Sequence, residues 1–416
     1  MPKKPIHYSR RDFFRITAAA GVGSAVLHLG RRTDGAQLPA KGSSGGQQLP
    51  ARALGKTGVT VPVLGLGGSQ DLMSKPLLLR QAFLLGVTYW DTAPTYGGGN
   101  SEAAIGDYVA RYPEDRKDLH LVTKTKKKHP SQMTHDLNLS LEKLKTDYVD
   151  SYFIHGLSDV SNGLEHAAVK KWVEKTKKSG KIRFFGFSTH KNMPRCLSDA
   201  ADLGWIDTIM TSYNYRLMDT DDMKRAVAAC AKSGVGLVAM KTQAPFMARF
   251  WSDIGKNSDA GKAMMERFHK RGFTPEQARL KAVWENPHIA SICSEMTNMT
   301  ILRANTAAAA DKRALSRKDR AILDTYARMT ALGYCTGCAV RCESAVDNRV
   351  PISDIVRYMM YHDNYGDYKG ASRRFCQIPS AQRSAVARLD YAEAERRCPQ
   401  GIPIGRIMRD AAKVLA

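Results

Sequence analysis

From Val63 onward, short apolar runs alternate along the chain with longer stretches whose apolar positions recur at helical spacing. Val63 to Gly67 reads as a buried strand, and Leu77 to Gly86 as a helix ending at a glycine. The alternation continues through strands at Thr88 to Asp91, Leu119 to Lys124, Tyr152 to His155, Arg183 to Ser188, Ile209 to Tyr213, Gly236 to Lys241 and Ile289 to Cys293. Between the first of these lie helical stretches such as Ser101 to Ala110, Thr134 to Leu144 and Val169 to Ser179. Eight strands alternating with helices predict parallel βαβ units. Their number favours a closed (β/α)8 TIM barrel over an open doubly wound sheet, which would want a G-x-G-x-x-G after its first strand and has none.

Beyond residue 325 the strand signal stops. Val350 to Tyr361, Asp367 to Phe375 and Ala381 to Arg397 read as short helices, so a small all-helical domain over 326–416 is expected behind a barrel over 51–325. At the other end, Ser9-Arg10-Arg11-Asp12-Phe13-Phe14-Arg15 precedes a mildly apolar stretch, Ile16 to Leu29. A basic segment followed by a short apolar one predicts a secretory signal over 1–36, and the paired arginines resemble the twin-arginine type. Residues 37–50, rich in glycine and serine, read as a linker. The expected partner is the twin-arginine translocase, and the expected location is the periplasm or the outer face of the cytoplasmic membrane. That route carries folded proteins, so a centre assembled in the cytoplasm would travel inside.

With 416 residues, 43% of them hydrophobic and 25% charged, the chain is globular. Its net charge is +23, and the seven basic against two acidic residues of the signal leave most of that on the rest. A basic surface suits anionic partners. Nucleic acid is not expected, because the longest basic run, Lys124 to Lys128 broken by Thr125, grows out of a strand and no recognition helix is visible.

In a barrel of this kind the chemistry sits where strands end. Asp91, Lys124 and His155 end consecutive strands, and Tyr96 follows Asp91 in the next loop. A tyrosine with a reference pKa of about 10 is a poor acid at neutral pH, and a nearby ammonium lowers that value. With Asp91 holding Lys124 and His155 contacting the substrate oxygen, Tyr96 would be a tuned proton donor to a carbonyl.

These residues lie in stretches that resemble the aldo/keto reductase family: Asp91-Thr92-Ala93-Pro94-Thr95-Tyr96-Gly97, Val122-Thr123-Lys124, Tyr148 to Gly156, Gly180 to His190, and the opening Arg52 to Gly58. The resemblance implies carbonyl/alcohol interconversion with hydride from NAD(P)H. It implies Tyr96 as general acid, Lys124 and Asp91 as its supports, and His155 as the residue that orients the carbonyl. It further implies Ser188 and Thr189 at the nicotinamide carboxamide and Asn305 at the adenine. The chain departs from the family's pattern at Cys293-Ser294-Glu295, where Pro-Gly is usual, and at Met240, where many relatives offer a stacking tyrosine. Glu295 would repel a 2′-phosphate, so the choice between the two dinucleotides stays open. A non-catalytic exported scaffold that kept the barrel is the alternative.

Of the eight cysteines, five crowd the last fifth of the chain. Cys335-x2-Cys338-x3-Cys342 followed by Cys398-Pro399 provides four thiolates for an iron–sulfur cluster or zinc, with disulfides as the other reading. The Cys-Pro step favours one 4Fe-4S cluster on Cys335, Cys338, Cys342 and Cys398, with Cys376 free or in place of Cys398. Some aldo/keto reductases carry a similar ferredoxin-like tail. Arg388, Tyr391 and Ala394 stand where such relatives place three more cysteines, so a second cluster is not expected. A cluster implies an electron-transfer partner.

Overall fold

The computed structural model describes residues 49–245 and 258–416. The segment read as a signal lies outside the described residues, as does the linker up to its last two residues. Of those two, Leu49 is buried against the core.

Strands β1 (Ala51–Ala53) and β2 (Thr60–Pro62) form an antiparallel hairpin. Eight parallel strands then close into a barrel: β3 (Leu64–Gly67), β4 (Tyr89–Asp91), β5 (His120–Thr125), β6 (Val149–Ile154), β7 (Ile182–Thr189), β8 (Thr208–Ser212), β9 (Gly236–Met240) and β10 (Ile289–Ser294), with β10 returning to pair with β3. The helices between them are α1 (Pro76–Leu84), α2 (Asn100–Arg111), α3 (Pro130–Leu144), α4 (Ala167–Lys178), α5 (Met193–Leu203), α6 (Asp221–Ser233), and the pair α7 (Asp259–Lys270) and α8 (Pro275–Trp284). Helices α9 (Met299–Ala310) and α10 (Arg317–Met329) follow the last strand.

The strands are covered on both faces, so β5 and β6 are buried at every position. Side chains such as Val122, Phe153, Met210 and Val238 fill the barrel interior. The hairpin adds Leu54 and Val61 to that interior cluster, a contribution the periodicity of the chain does not reveal. Arg52 fastens the hairpin by donating to the carbonyls of Asn286 and Ile289, each at 2.8 Å.

The C-terminal region is helical: α11 (Ala339–Glu343), α12 (Ile352–Tyr365), α13 (Tyr368–Cys376), α14 (Ser380–Ala385), α15 (Ala392–Arg396) and α16 (Ile404–Val414). It has its own apolar core, built from residues such as Ile355, Met359, Phe375 and Ile407. The single helix expected over 381–397 is split in two. Asp390 accepts the amide of Ala392 at 2.9 Å and so starts a new helix instead of continuing the old one. No helix among the described residues is long and apolar enough to cross a membrane.

Candidate active site

Parallel pairing sets β4 beside β5 and β5 beside β6, so Asp91, Lys124 and His155 arrive at one end of the barrel. Asp91 and Lys124 are 3% and 1% exposed. Lys124 Nζ donates to Asp91 Oδ1 at 2.5 Å and to the Thr92 carbonyl at 2.7 Å. Two buried charges with this geometry satisfy each other and leave the ammonium fixed.

Tyr96 enters over a turn that demands glycine. Gly97 has φ +57°, and a β-carbon there would lie 2.6 Å from the Gln70 carbonyl oxygen. The turn sets the Tyr96 ring centroid 4.7 Å from Lys124 Nζ. The Tyr96 hydroxyl lies 3.5 Å from His155 Nε2, with the two rings edge to face at 84°. The four residues expected to cooperate are thus neighbours.

One electrostatic expectation is reversed. Burial, followed by the carboxylate of Asp91, pushes the Tyr96 phenol well above its ordinary value instead of below it. The phenol therefore keeps its proton, which a donor requires. Burial and then the surrounding cations, Lys124 first, hold His155 well below its ordinary value and so uncharged.

The remaining predicted residues fall at the same end of the barrel. The Ser188 hydroxyl accepts the Gly156 amide at 3.0 Å, and Thr189 donates to the Lys191 carbonyl at 3.0 Å. Asn305 on α9 turns inward and donates to Ser294 Oγ at 3.1 Å. Beside β7, β8 and β9 lies a cleft lined on the barrel side by His190, Ser212 and Lys241 and on the tail side by Arg357 and the loop from Gly333 to Gly337.

The sequence reading did not single out His190, Lys241, Tyr361, Arg357 or Arg374, all of which bear on this mouth. His190 and Lys241 were findable, since each is the first residue beyond a strand end. The three tail residues carried no local signal.

Cys335, Cys338, Cys342 and Cys398 line one small cavity in the tail, together with apolar residues that include Ile352, Val356 and Ile402. Burial first, and then the neighbouring thiols, pushes the Cys335 thiol up to about 12 and raises Cys342 as well. Cys376 is exposed at the end of α13 and does not line the cavity. Among the described residues no group of three His, Cys, Asp or Glu side chains is arranged to hold a metal ion.

A profile of the aldo/keto reductase family matches residues 66–327. L-galactose dehydrogenase of Arabidopsis thaliana is 24% identical over 309 residues, covering 67% of this chain and 94% of that protein. An aldo-keto reductase of Schizosaccharomyces pombe whose name carries NADP(+) is 31% identical over 162 residues, or 34% of this chain and 45% of that one. The crystal structure of a thermostable aldo-keto reductase in complex with the inhibitor epalrestat superposes with a TM-score of 0.54 at 26% identity, covering 67% of this chain and all of that one. On the match of the profile and the barrel it describes, the chain belongs to the aldo/keto reductase family and is an oxidoreductase.

Proposed function

We propose that the barrel mouth interconverts a carbonyl and an alcohol, with Tyr96 as general acid and a nicotinamide dinucleotide as hydride carrier. The convergence of Tyr96, Lys124, Asp91 and His155 at one end of the barrel carries this reading. In reduction, Tyr96 holds the proton at its hydroxyl until the substrate oxygen gains charge. Lys124, already within reach of the ring, then compensates the phenolate that forms. His155, kept neutral, offers Nε2 beside the same hydroxyl and orients the oxygen. The dinucleotide supplies the hydride when bound. Ser188 and Thr189 at the end of β7, with the adjoining cleft, are the residues that would hold its nicotinamide end. The S. pombe relative named for NADP(+) favours the phosphorylated form.

We further assign Cys335, Cys338, Cys342 and Cys398 as ligands of one 4Fe-4S cluster, since four thiols facing one cavity suit Cys₄ ligation of a cubane. The cluster supplies one-electron transfer when bound. Cys335 and Thr336 line both its cavity and the barrel-mouth cleft, so electrons would have a short way between the two. Export by the twin-arginine translocase, in the folded state, would place the protein in the periplasm or on the outer face of the cytoplasmic membrane, where an electron partner would meet it. The domain bounds 51–325 and 326–416 belong to the same reading.

Fluorescence titration with NADPH and NADH tests the barrel: saturable binding supports the reading, and its absence with both rejects it. The visible spectrum of protein purified without oxygen tests the tail. A brown sample that bleaches on reduction supports the cluster, and a colourless one rejects it.

A further inference from the structure

Positive charge gathers at the mouth beyond what its carboxylates balance. Lys241, at φ +57° just past β9, donates to Tyr361 Oη at 2.8 Å and lies 4.6 Å from that ring's centroid. The Arg374 guanidinium carbon lies 5.2 Å from the same centroid. Arg357 lines the cleft from the tail side. The opposing acids are committed. Asp91 is taken by Lys124. Asp354 serves two cations, Lys191 at 2.8 Å and Arg357. Asp367 pairs with Arg374 at 2.9 Å. Lys241 makes no salt bridge among the described residues, and the one carboxylate that feels its charge without being bonded to another cation is Glu295, the residue after β10.

Three groups on different elements respond to this surplus. His155 and His190 are held well below their ordinary values, first by burial and then by cations that include Lys124, Lys241, Arg357 and Arg374. Tyr361 is raised by burial, yet Lys241, Arg357 and Arg374 outweigh that and bring its phenol below the ordinary value.

We infer that this cleft is an anion subsite built jointly by barrel and tail, in which Lys241 and Arg357 take a carboxylate or phosphate group. The arginine fork matches either group bidentately. Of the two cations that line the cleft the barrel contributes Lys241 and the tail Arg357, so neither part makes the subsite alone. The inference deepens the functional reading above by restricting its ligands to anions, and it rests on that reading for the role of the mouth.

Calorimetric titration of the full chain with benzoate and with benzamide, equal in shape and different in charge, tests it. Benzoate is expected to bind roughly tenfold tighter, and the preference is expected to shrink as salt rises. Arg357→Gln and Lys241→Gln are each expected to remove it. Equal binding of the two probes to the wild-type chain, or no binding of either, overturns the inference. Repeating the titration with NADPH present identifies the source of the anion. Competition assigns the subsite to a dinucleotide phosphate, and simultaneous binding assigns it to a substrate carboxylate. A protein that binds no dinucleotide yet prefers benzoate would reject the functional reading and leave this one standing.

Discussion

Lys241 Nζ donates to Tyr361 Oη across 2.8 Å, and this bond joins the end of barrel strand β9 to helix α12 of the tail. A second tie runs from Lys191 to Asp354 at 2.8 Å, between side chains that are 17% and 19% exposed. Both ties lie at the end of the barrel that carries Tyr96 and His155, so the tail is a wall of that mouth and not an appendage.

Tyr96→Phe keeps the ring and removes the proton. If Tyr96 is the acid, kcat/KM for carbonyl reduction should fall by about 10²–10⁴, while the dissociation constant for NADPH stays unchanged. Steady-state kinetics paired with fluorescence titration checks both. A fall in affinity with unchanged turnover would point to a binding role for Tyr96 instead.

Removing one member of the buried pair strands its partner. Asp91→Asn or Lys124→Met should each lower unfolding stability by about 3–5 kcal/mol. The double variant should lose less than the two singles added together, because no uncompensated charge remains. Urea unfolding of the three proteins measures the coupling.

His120 is stacked on Tyr89 at 5.0 Å and bonded to Ser151 Oγ at 3.0 Å. Burial brings its imidazole down to about 4 from an ordinary 6.5. The folded protein therefore holds His120 neutral where the unfolded chain protonates it. Stability is full above pH 6.5 and falls as pH drops from there towards 4. The loss from this one group is about 3 kcal/mol. Thermal melting between these limits should show the decline, and His120→Gln should flatten it.

Serine replacements separate the cysteines. Cys335→Ser or Cys398→Ser should cut iron content and visible absorbance per chain, and Cys376→Ser should leave both at the wild-type level. Iron analysis of anaerobically prepared protein reads the difference. Equal losses for all three would reject the ligand assignment.

The strand at Val149–Ile154 begins three residues before its apolar signal at Tyr152, because Asp150 is buried there by Arg116 and Arg183 and so passes as a polar residue in the sequence. The hairpin over Ala51–Pro62 was not legible at all, since its value lies in plugging an interior formed by strands up to some 240 residues away. The Cys-Pro step singled out Cys398 but left Cys376 as a possible substitute, and the folded tail sets Cys398 on the cavity and leaves Cys376 exposed.

Amino-acid order alone determined the strand–helix alternation, the count of eight and the chemical types at the strand ends, because side-chain period and strand polarity are local properties. Tertiary structure alone decided the sign of the shift at Tyr96 and the arrival of Arg357, Arg374 and Tyr361 over the mouth. Burial and summed charge depend on which distant segments fold back together, and no window of the chain contains that information.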